Sequence, residues 1–283
     1  MSSALTSETP LKASFSMYPL SLNERALAQI TQQLKTFIKG SILSAKAKGA
    51  VVALSGGVDS SVVAALAHDV VNTKALILPE TAVTSAQDVL DATSIAEAFG
   101  LSFTVIEISD LIDCFREASR PILPPRINGQ VSNAEANLKP RIRMTLNYVA
   151  SNVDLRLVLG TGNKTELFMG YFTKYGDGGV DALPIGSLYK TQVFQLARYV
   201  GIPDRIISKA PSAGLWLGQT DEEELGISYD LLDQILLELI DKQKTVKETA
   251  NLLDVEPQRV QEISDQVLCA KHKRHTPLVP TIT

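Results

Sequence analysis

Residues 51–68 read VVALSGGVDSSVVAALAH, and this stretch narrows the fold more than any other part of the chain. Its first four residues, Val51, Val52, Ala53 and Leu54, are small or β-branched and apolar, as in a short buried strand. At Ser55-Gly56-Gly57 the chain must turn sharply and bring its backbone close to a neighbour, which glycine alone does without a Cβ clash. Asp59, Ser60 and Ser61 are candidate N-cap and first-turn residues of a helix, continued by an Ala/Val run suited to packing on a sheet. A strand, a glycine turn and a helix start point unpaired N–H groups and the positive end of a helix dipole at one spot, an arrangement that binds anions.

The remaining segments alternate in the same way. An amphipathic helix over 22–46 carries Leu22, Ala26, Ile30, Leu34, Phe37 and Ile38 near one face. Strands are expected at 75–78, 103–106 and 155–159. Helices are expected at 85–99, with Ser85 as N-cap, Asp88 at N3 and Gly100 after its end, and at 109–119, 134–149, 188–200 and 228–240. Pro140 is expected at the first position of a helix and residues 121–133 form a loop. This order predicts an α/β fold, a doubly wound parallel sheet with helices on both faces and a helical C-terminal tail. Ligands of such sheets bind beyond the carboxyl ends of the strands, where Ser55-Gly56-Gly57 lies. Residues 1–20 read as a flexible, polar lead and 21–283 as one domain.

Composition excludes several classes. A net charge of −4 gives no global reason to bind nucleic acid or an anionic membrane. No 18-residue apolar run exists, and the first residues lack a secretory pattern, so a cytoplasmic protein is expected. Cys114 and Cys269 match no metal-binding spacing and read as two buried free thiols. His68, at the end of an apolar helix, reads as structural. Residues 245–268 have a helix-turn-helix pattern, but 256–268 carry Glu256, Glu262 and Asp265 against Arg259 alone, which suits packing rather than DNA reading.

A second dense region follows the fourth strand: GTGNKTELFMGYFTKYGDGGVDALPIGSLYK. Thr161, Asn163, Lys164, Thr165 and Glu166 stand where a strand end meets a helix, and Lys174, Asp177, Asp181 and Lys190 follow among glycines and aromatics. Aromatics alternating with charges suit an ordered binding loop.

The first loop is neither GxxxxGK[ST] nor GxGxxG; SGGxDS resembles the PP-loop of ATP pyrophosphatases. Together with Lys139-Pro140-Arg141-Ile142-Arg143-Met144, GYFTKYGDGGVD, APSAGLW, the Glu223-Glu224-Leu225-Gly226 turn and His272-Lys273-Arg274, the chain resembles the NAD synthetases of the ammonia-dependent type over nearly its whole length. The resemblance implies homodimers that amidate deamido-NAD with ATP and ammonia, through an adenylated intermediate, releasing AMP and pyrophosphate. It implies that Ala53, Leu54, Ser55, Gly56, Gly57, Val58, Asp59, Ser60, Ser61, Thr161, Lys190 and Ser212 contact ATP. Arg141, Lys174, Asp181, His272 and Lys273 would contact deamido-NAD, and Asp59 and Glu166 would hold Mg2+. Asp181 or Asp177 is a candidate acceptor of the ammonium proton. The segment departs from the GTDHAAE form of many ammonia-dependent members: here it is GTGNKTE, with Thr and Glu in place. Ser212 stands where Thr is common, and Ala53 where Gly is frequent. The chain has no room for a fused glutaminase domain, so free ammonia or a separate glutaminase subunit would supply the nitrogen. Two other readings stay open at this point: another PP-loop ligase, and a nucleotide-sensing DNA-binding regulator.

Overall fold

The computed structural model describes residues 19–125, 131–275, 277 and 279–281. Four parallel strands, β1 (Ala50–Ala53), β2 (Thr73–Ile77), β3 (Ser102–Val105) and β4 (Leu157–Leu159), form one sheet in the order β3-β2-β1-β4. The chain winds outward from β1 through β2 to β3, then returns to add β4 on the other side of β1. Strand order therefore reverses between β1 and β4, and a crevice opens at their carboxyl ends. An isolated parallel bridge between Leu159 and Ala182 extends the sheet past β4.

Helices cover both faces, which is why the central strands β1 (AVVA) and β4 (LVL) are apolar without a break, while the edge strand β3 (SFTV) is exposed. α1 (Glu24–Ser44), α2 (Val58–His68), α3 (Ala86–Ala98), α8 (Lys190–Tyr199) and α9 (Asp204–Ile207) pack with Ala50, Val52, Ala75 and Ile77 in the main core. Val51, Leu76 and Leu78, one residue out of phase, face Ile108, Ile112 and Ile142 on the other side. That side is built by α4 (Ser109–Ser119), α5 (Asn133–Ala136) and α6 (Leu138–Asp154). A third cluster joins α7 (Lys164–Met169), α10 (Asp221–Leu225), α11 (Tyr229–Leu236), α12 (Val246–Leu253) and α13 (Pro257–Cys269) around Tyr189, Leu232, Ile235, Val260 and Ile263. The apolar face of α13 is thus spent on internal packing.

Several expectations shift. Pro140 is the third residue of α6 rather than the first, still within the turn whose N–H groups have no helical partner. Leu155, expected in β4, adopts φ +55 and ends α6, so β4 starts at Leu157. The helix expected over 228–240 ends at Leu236 and passes into a π-helical turn, Leu237–Asp241. Cys114 and Cys269 are exposed, not buried: each lies on the solvent side of an amphipathic helix. Ser85 and Asp88 form the expected capping box of α3. Most of the N-terminal lead, residues 1–18, and part of the 121–133 loop, residues 126–130, lie outside the described residues. Pro19 and Leu20 accept hydrogen bonds from Gln192 and Gln195 of α8 (3.0 and 2.7 Å).

Candidate active site

The glycine turn sits at the carboxyl end of β1. Gly56 has φ +80, and a Cβ there would run into the Asp88 carbonyl at the start of α3. Only glycine meets both conditions. The loop holds its own N–H groups loosely: Ser55 N donates to Ser60 Oγ and Gly57 N to Ser55 Oγ, each at 3.3 Å, at the long limit for such bonds. An anion with better-placed oxygens can replace these hydroxyls. Gly57 is the N-cap of α2 and leaves that helix start open, while Asp59 occupies its first turn.

Across the crevice, β4 leads through Thr161 to α7. Asn163 caps α7 in a capping box: its side chain accepts from Glu166 N (3.0 Å), and Glu166 Oε2 accepts from Asn163 N (3.0 Å). Asn163 Nδ2 also donates to Asp59 Oδ1 (3.0 Å), so this one residue orients both carboxylates, Asp59 through its side chain and Glu166 through its backbone N–H. Lys190, first residue of α8, sends its ammonium between them, bonded to Asp59 and 3.7 Å from Glu166 Oε1.

Burial pushes the Glu166 carboxyl up to about 8, and the charge of Asp59 adds to this. Burial would lower the Lys190 pKa, but the charges of Asp59 and Glu166 outweigh it and raise it, so the ammonium stays charged. Two hard oxygen donors facing one buried cation fit Mg2+, which takes few carboxylates and completes its shell with water and phosphate. Among the described residues no three His, Cys, Asp or Glu side chains converge on one point, so protein ligands alone would not enclose a metal.

The other expected residues fall into two further groups. Arg141 donates to the Lys174 carbonyl (3.3 Å), Lys174 to the His272 carbonyl (2.9 Å), and Lys273 to the carbonyls of Gly170 (2.6 Å) and Phe172 (2.9 Å). These four thus gather around the 170–175 turn. Asp181 lies apart, beside β4: Oδ2 accepts from Val158 N (2.7 Å) and Oδ1 from Tyr148 Oη (3.0 Å). Asp177 accepts from Thr173 N (2.8 Å), and desolvation of its carboxyl raises its pKa although part of the residue is exposed. Ser212, on an exposed loop, accepts from Gly214 N (3.1 Å) and joins neither group by a hydrogen bond.

Three residues take roles that the sequence reading did not assign to them. Lys209 donates to the Gly56 carbonyl (3.1 Å), Asp88 (2.7 Å) and Asp91 (2.8 Å), bracing the glycine turn against α3; no local spacing announces it. Asn163 was legible, since Asn163-x-x-Glu166 has the capping-box spacing. Asp221 is 3% exposed, takes a hydrogen bond from Tyr229 Oη (2.9 Å), and comes from an acidic run that would ordinarily be a solvated surface.

The family model for NAD synthase matches residues 30–277. The NH(3)-dependent NAD(+) synthetase of Archaeoglobus fulgidus is 49% identical over 258 residues, covering 90% of this chain and 97% of its own. Among solved structures, the NMN synthetase of Francisella tularensis superposes with a TM-score of 0.78 at 34% identity, over 90% of this chain and 99% of that one. The NH3-dependent NAD synthetase of Campylobacter jejuni, solved with a nitrate ion, gives 0.74 at 27% identity, over 92% and 100%. With the glycine turn, the carboxylate pair and these likenesses in agreement over most of its length, the chain belongs to the NAD synthase family.

Proposed function

We propose that this ligase amidates deamido-NAD with free ammonia at the expense of ATP, at the crevice between β1 and β4. The observation that carries the reading is the buried Lys190 ammonium set between Asp59 and Glu166, directly opposite an anion-binding glycine turn. A carboxylate is a poor electrophile, so it must first be activated. In this reading the nicotinate carboxylate attacks the α-phosphate of ATP, the bond to the bridging oxygen breaks, and pyrophosphate leaves. The N–H groups at the start of α2 and the loop then face the oxygen on which negative charge builds. Mg2+ held by Asp59 and Glu166 would supply further neutralisation of that charge. Lys190, whose ammonium stays charged, would offer that charge to the phosphates. Ammonia then attacks the mixed anhydride and AMP leaves.

Ammonium must lose a proton before attack. Asp177 suits this better than Asp181, because both oxygens of Asp181 are engaged by Val158 N and Tyr148 Oη, whereas Asp177 has a carboxyl whose pKa is already raised. Arg141, Lys174 and Lys273 supply cationic side chains around one turn, as a dinucleotide with two phosphates requires, and His272 meets them through its carbonyl. Leu111 and Phe115 of α4 and Val149 and Val153 of α6, each pair one helical turn apart, are exposed apolar side chains that a second copy of the chain would cover. No helix among the described residues is long and apolar enough to cross a membrane.

The test is a product assay with ATP, Mg2+ and ammonium, run separately with deamido-NAD and with nicotinate mononucleotide. The second substrate is included because the Francisella relative is named an NMN synthetase. NAD, AMP and pyrophosphate in equal amounts are expected from deamido-NAD, and none with glutamine in place of ammonium. NMN formed in preference to NAD would overturn the substrate assignment.

A further inference from the structure

Two buried carboxylates behind the crevice touch neither Asp59 nor Lys190, yet they bind the two residues before Glu166 and the residues on either side of Lys190. Asp233 of α11 is fully buried; Oδ1 accepts from Thr165 Oγ1 (2.5 Å), and Oδ2 accepts from both Thr191 N and Thr191 Oγ1 (2.8 Å each). Thr165 Oγ1 in turn accepts from Lys190 N (3.0 Å). Asp241, at the end of the π-helical turn, takes both Lys164 Nζ bonds (2.6 and 2.7 Å) and the Tyr189 hydroxyl (3.0 Å). The Lys164 and Asp241 side chains are each 3% exposed. Residues 164 and 165 precede Glu166, and residues 189 and 191 flank Lys190. Each carboxylate therefore holds the start of α7 and the start of α8 at once.

The π-helical turn explains how one helix can do this twice. Asp233 and Asp241 are eight positions apart. In an uninterrupted α-helix that spacing would put them about 80° apart around the axis. One residue absorbed by the wider turn restores the spacing of seven, about 20° apart, so both carboxylates look to the same side. The Lys242 N–H bond to the Leu237 carbonyl (3.0 Å), five residues back, is the mark of that wider turn. Two alanines in place of Lys164 and Thr165, as in the GTDHAAE form of the segment, could make none of these side-chain bonds.

We infer that Asp233 and Asp241 are positioning residues that lock the starts of α7 and α8 together and so set the distance and aim of Glu166 and Lys190 at the cation site. The inference rests on the reading that Asp59 and Glu166 hold the metal. A hydroxyl or ion pair that merely stabilises the fold would lower the melting temperature without changing how tightly the site holds a divalent cation. A clamp that positions Glu166 must change that affinity, as partners of metal ligands do by about 10–100-fold.

The experiment uses the full chain, Mn2+ as the probe and electron paramagnetic resonance to count free ion, with a non-cleavable α,β-methylene ATP analogue present. Melting temperature is recorded for every variant. Thr165→Val is expected to weaken Mn2+ binding about tenfold or more, while Thr165→Ser, which keeps the hydroxyl, stays within about twofold of the parent. The paired variant Lys164→Met with Asp241→Leu removes the buried ion pair as a unit, which need not unfold the protein, and is expected to weaken Mn2+ binding as well. It provides the same readout if Thr165→Val does not fold. Folded variants with unchanged Mn2+ affinity would overturn the clamp while leaving the metal assignment intact, as would Thr165→Ser failing as badly as Thr165→Val. A parent protein that binds no Mn2+ with the analogue would overturn both this inference and the carboxylate reading beneath it.

Discussion

Replacing Gly56 by alanine tests whether the glycine turn is shaped as described. Two costs can be worked from the structure. The backbone there has φ +80, a conformation that costs an L-residue with a Cβ about 1–2 kcal/mol. The new methyl would also collide with the Asp88 carbonyl oxygen and stand 3.1 Å from its carbonyl carbon and its Cα. These are backbone atoms at the capped start of α3, so they can yield only if the helix moves. Such a shift strains the Lys209 bonds to the Gly56 carbonyl (3.1 Å) and to Asp88 (2.7 Å), and a charge-assisted bond of this kind contributes about 1.5–3 kcal/mol. The sum is about 2.5–5 kcal/mol, or about 4–8 °C in melting temperature for a domain of this size. Gly100 supplies the control: its φ is +60, but a Cβ there meets nothing within 4 Å. Gly100→Ala should therefore lose only the backbone share. The assay is thermal unfolding of both variants by circular dichroism, with ATP affinity by calorimetry. Gly56→Ala should be the less stable by several degrees and bind ATP at least tenfold more weakly. If the two variants melted together and bound ATP equally, the close approach of the turn to α3 would be refuted.

Lys190→Met should lower kcat about 10²–10³-fold, the usual loss for one preorganised charge at a reacting group, with a smaller change in KM for deamido-NAD. It should also make the metal-free protein less stable, because two facing carboxylates lose their shared cation, and calorimetry in the absence and presence of Mg2+ would register this. Glu166 gives a pH dependence with a definite sign. Its pKa in the folded chain is raised from 4.5 to about 8, so below that pH the metal-free site holds a proton that Mg2+ must displace. Mg2+ affinity should therefore rise with pH up to about 8 and then level off, with proton release seen in buffers of different ionisation enthalpy. The stability that Glu166 lends the metal-free fold is full below 4.5 and is lost as pH rises through about 8, so Glu166→Gln should flatten this part of the melting profile. Cys114 and Cys269 are exposed, so both should react with a thiol reagent in the native protein, and neither modification should abolish turnover.

The parts of this molecule that were legible in the sequence are those fixed by short-range rules. The apolar run into Ser55-Gly56-Gly57 demanded a buried strand and a tight turn, and Ser85 with Asp88 marked a helix start through a three-residue spacing. Asp59, Glu166 and Lys190 were named from motifs, and the fold brings them to one point although 131 residues separate the outer two. What escaped was set by packing between distant segments. Lys209 reaches Gly56 from 153 residues away, and nothing in its neighbours marks it. The π-helical turn is invisible to apolar periodicity, because one added residue in a short helix shifts the pattern by no more than ordinary scatter. The cysteines were misplaced by composition, since a free thiol is usually buried while these two sit on polar helix faces. Asp181 carried a motif match, and no local spacing announces the bonds its carboxyl takes from Val158 N and Tyr148 Oη.

The central claim is that the substrate carboxylate attacks the α-phosphate at the crevice between the glycine turn and the Asp59–Glu166 pair. The most direct measurement labels that carboxylate with ¹⁸O, runs the reaction with ATP, Mg2+ and ammonium, and reads each product by mass spectrometry. The account predicts one labelled oxygen in AMP and none in pyrophosphate, because the oxygen that bonds to phosphorus leaves with it. Label found in inorganic phosphate with ADP as co-product would contradict the claim, since it would place the attack at the γ-phosphate and leave the glycine turn without the role assigned to it.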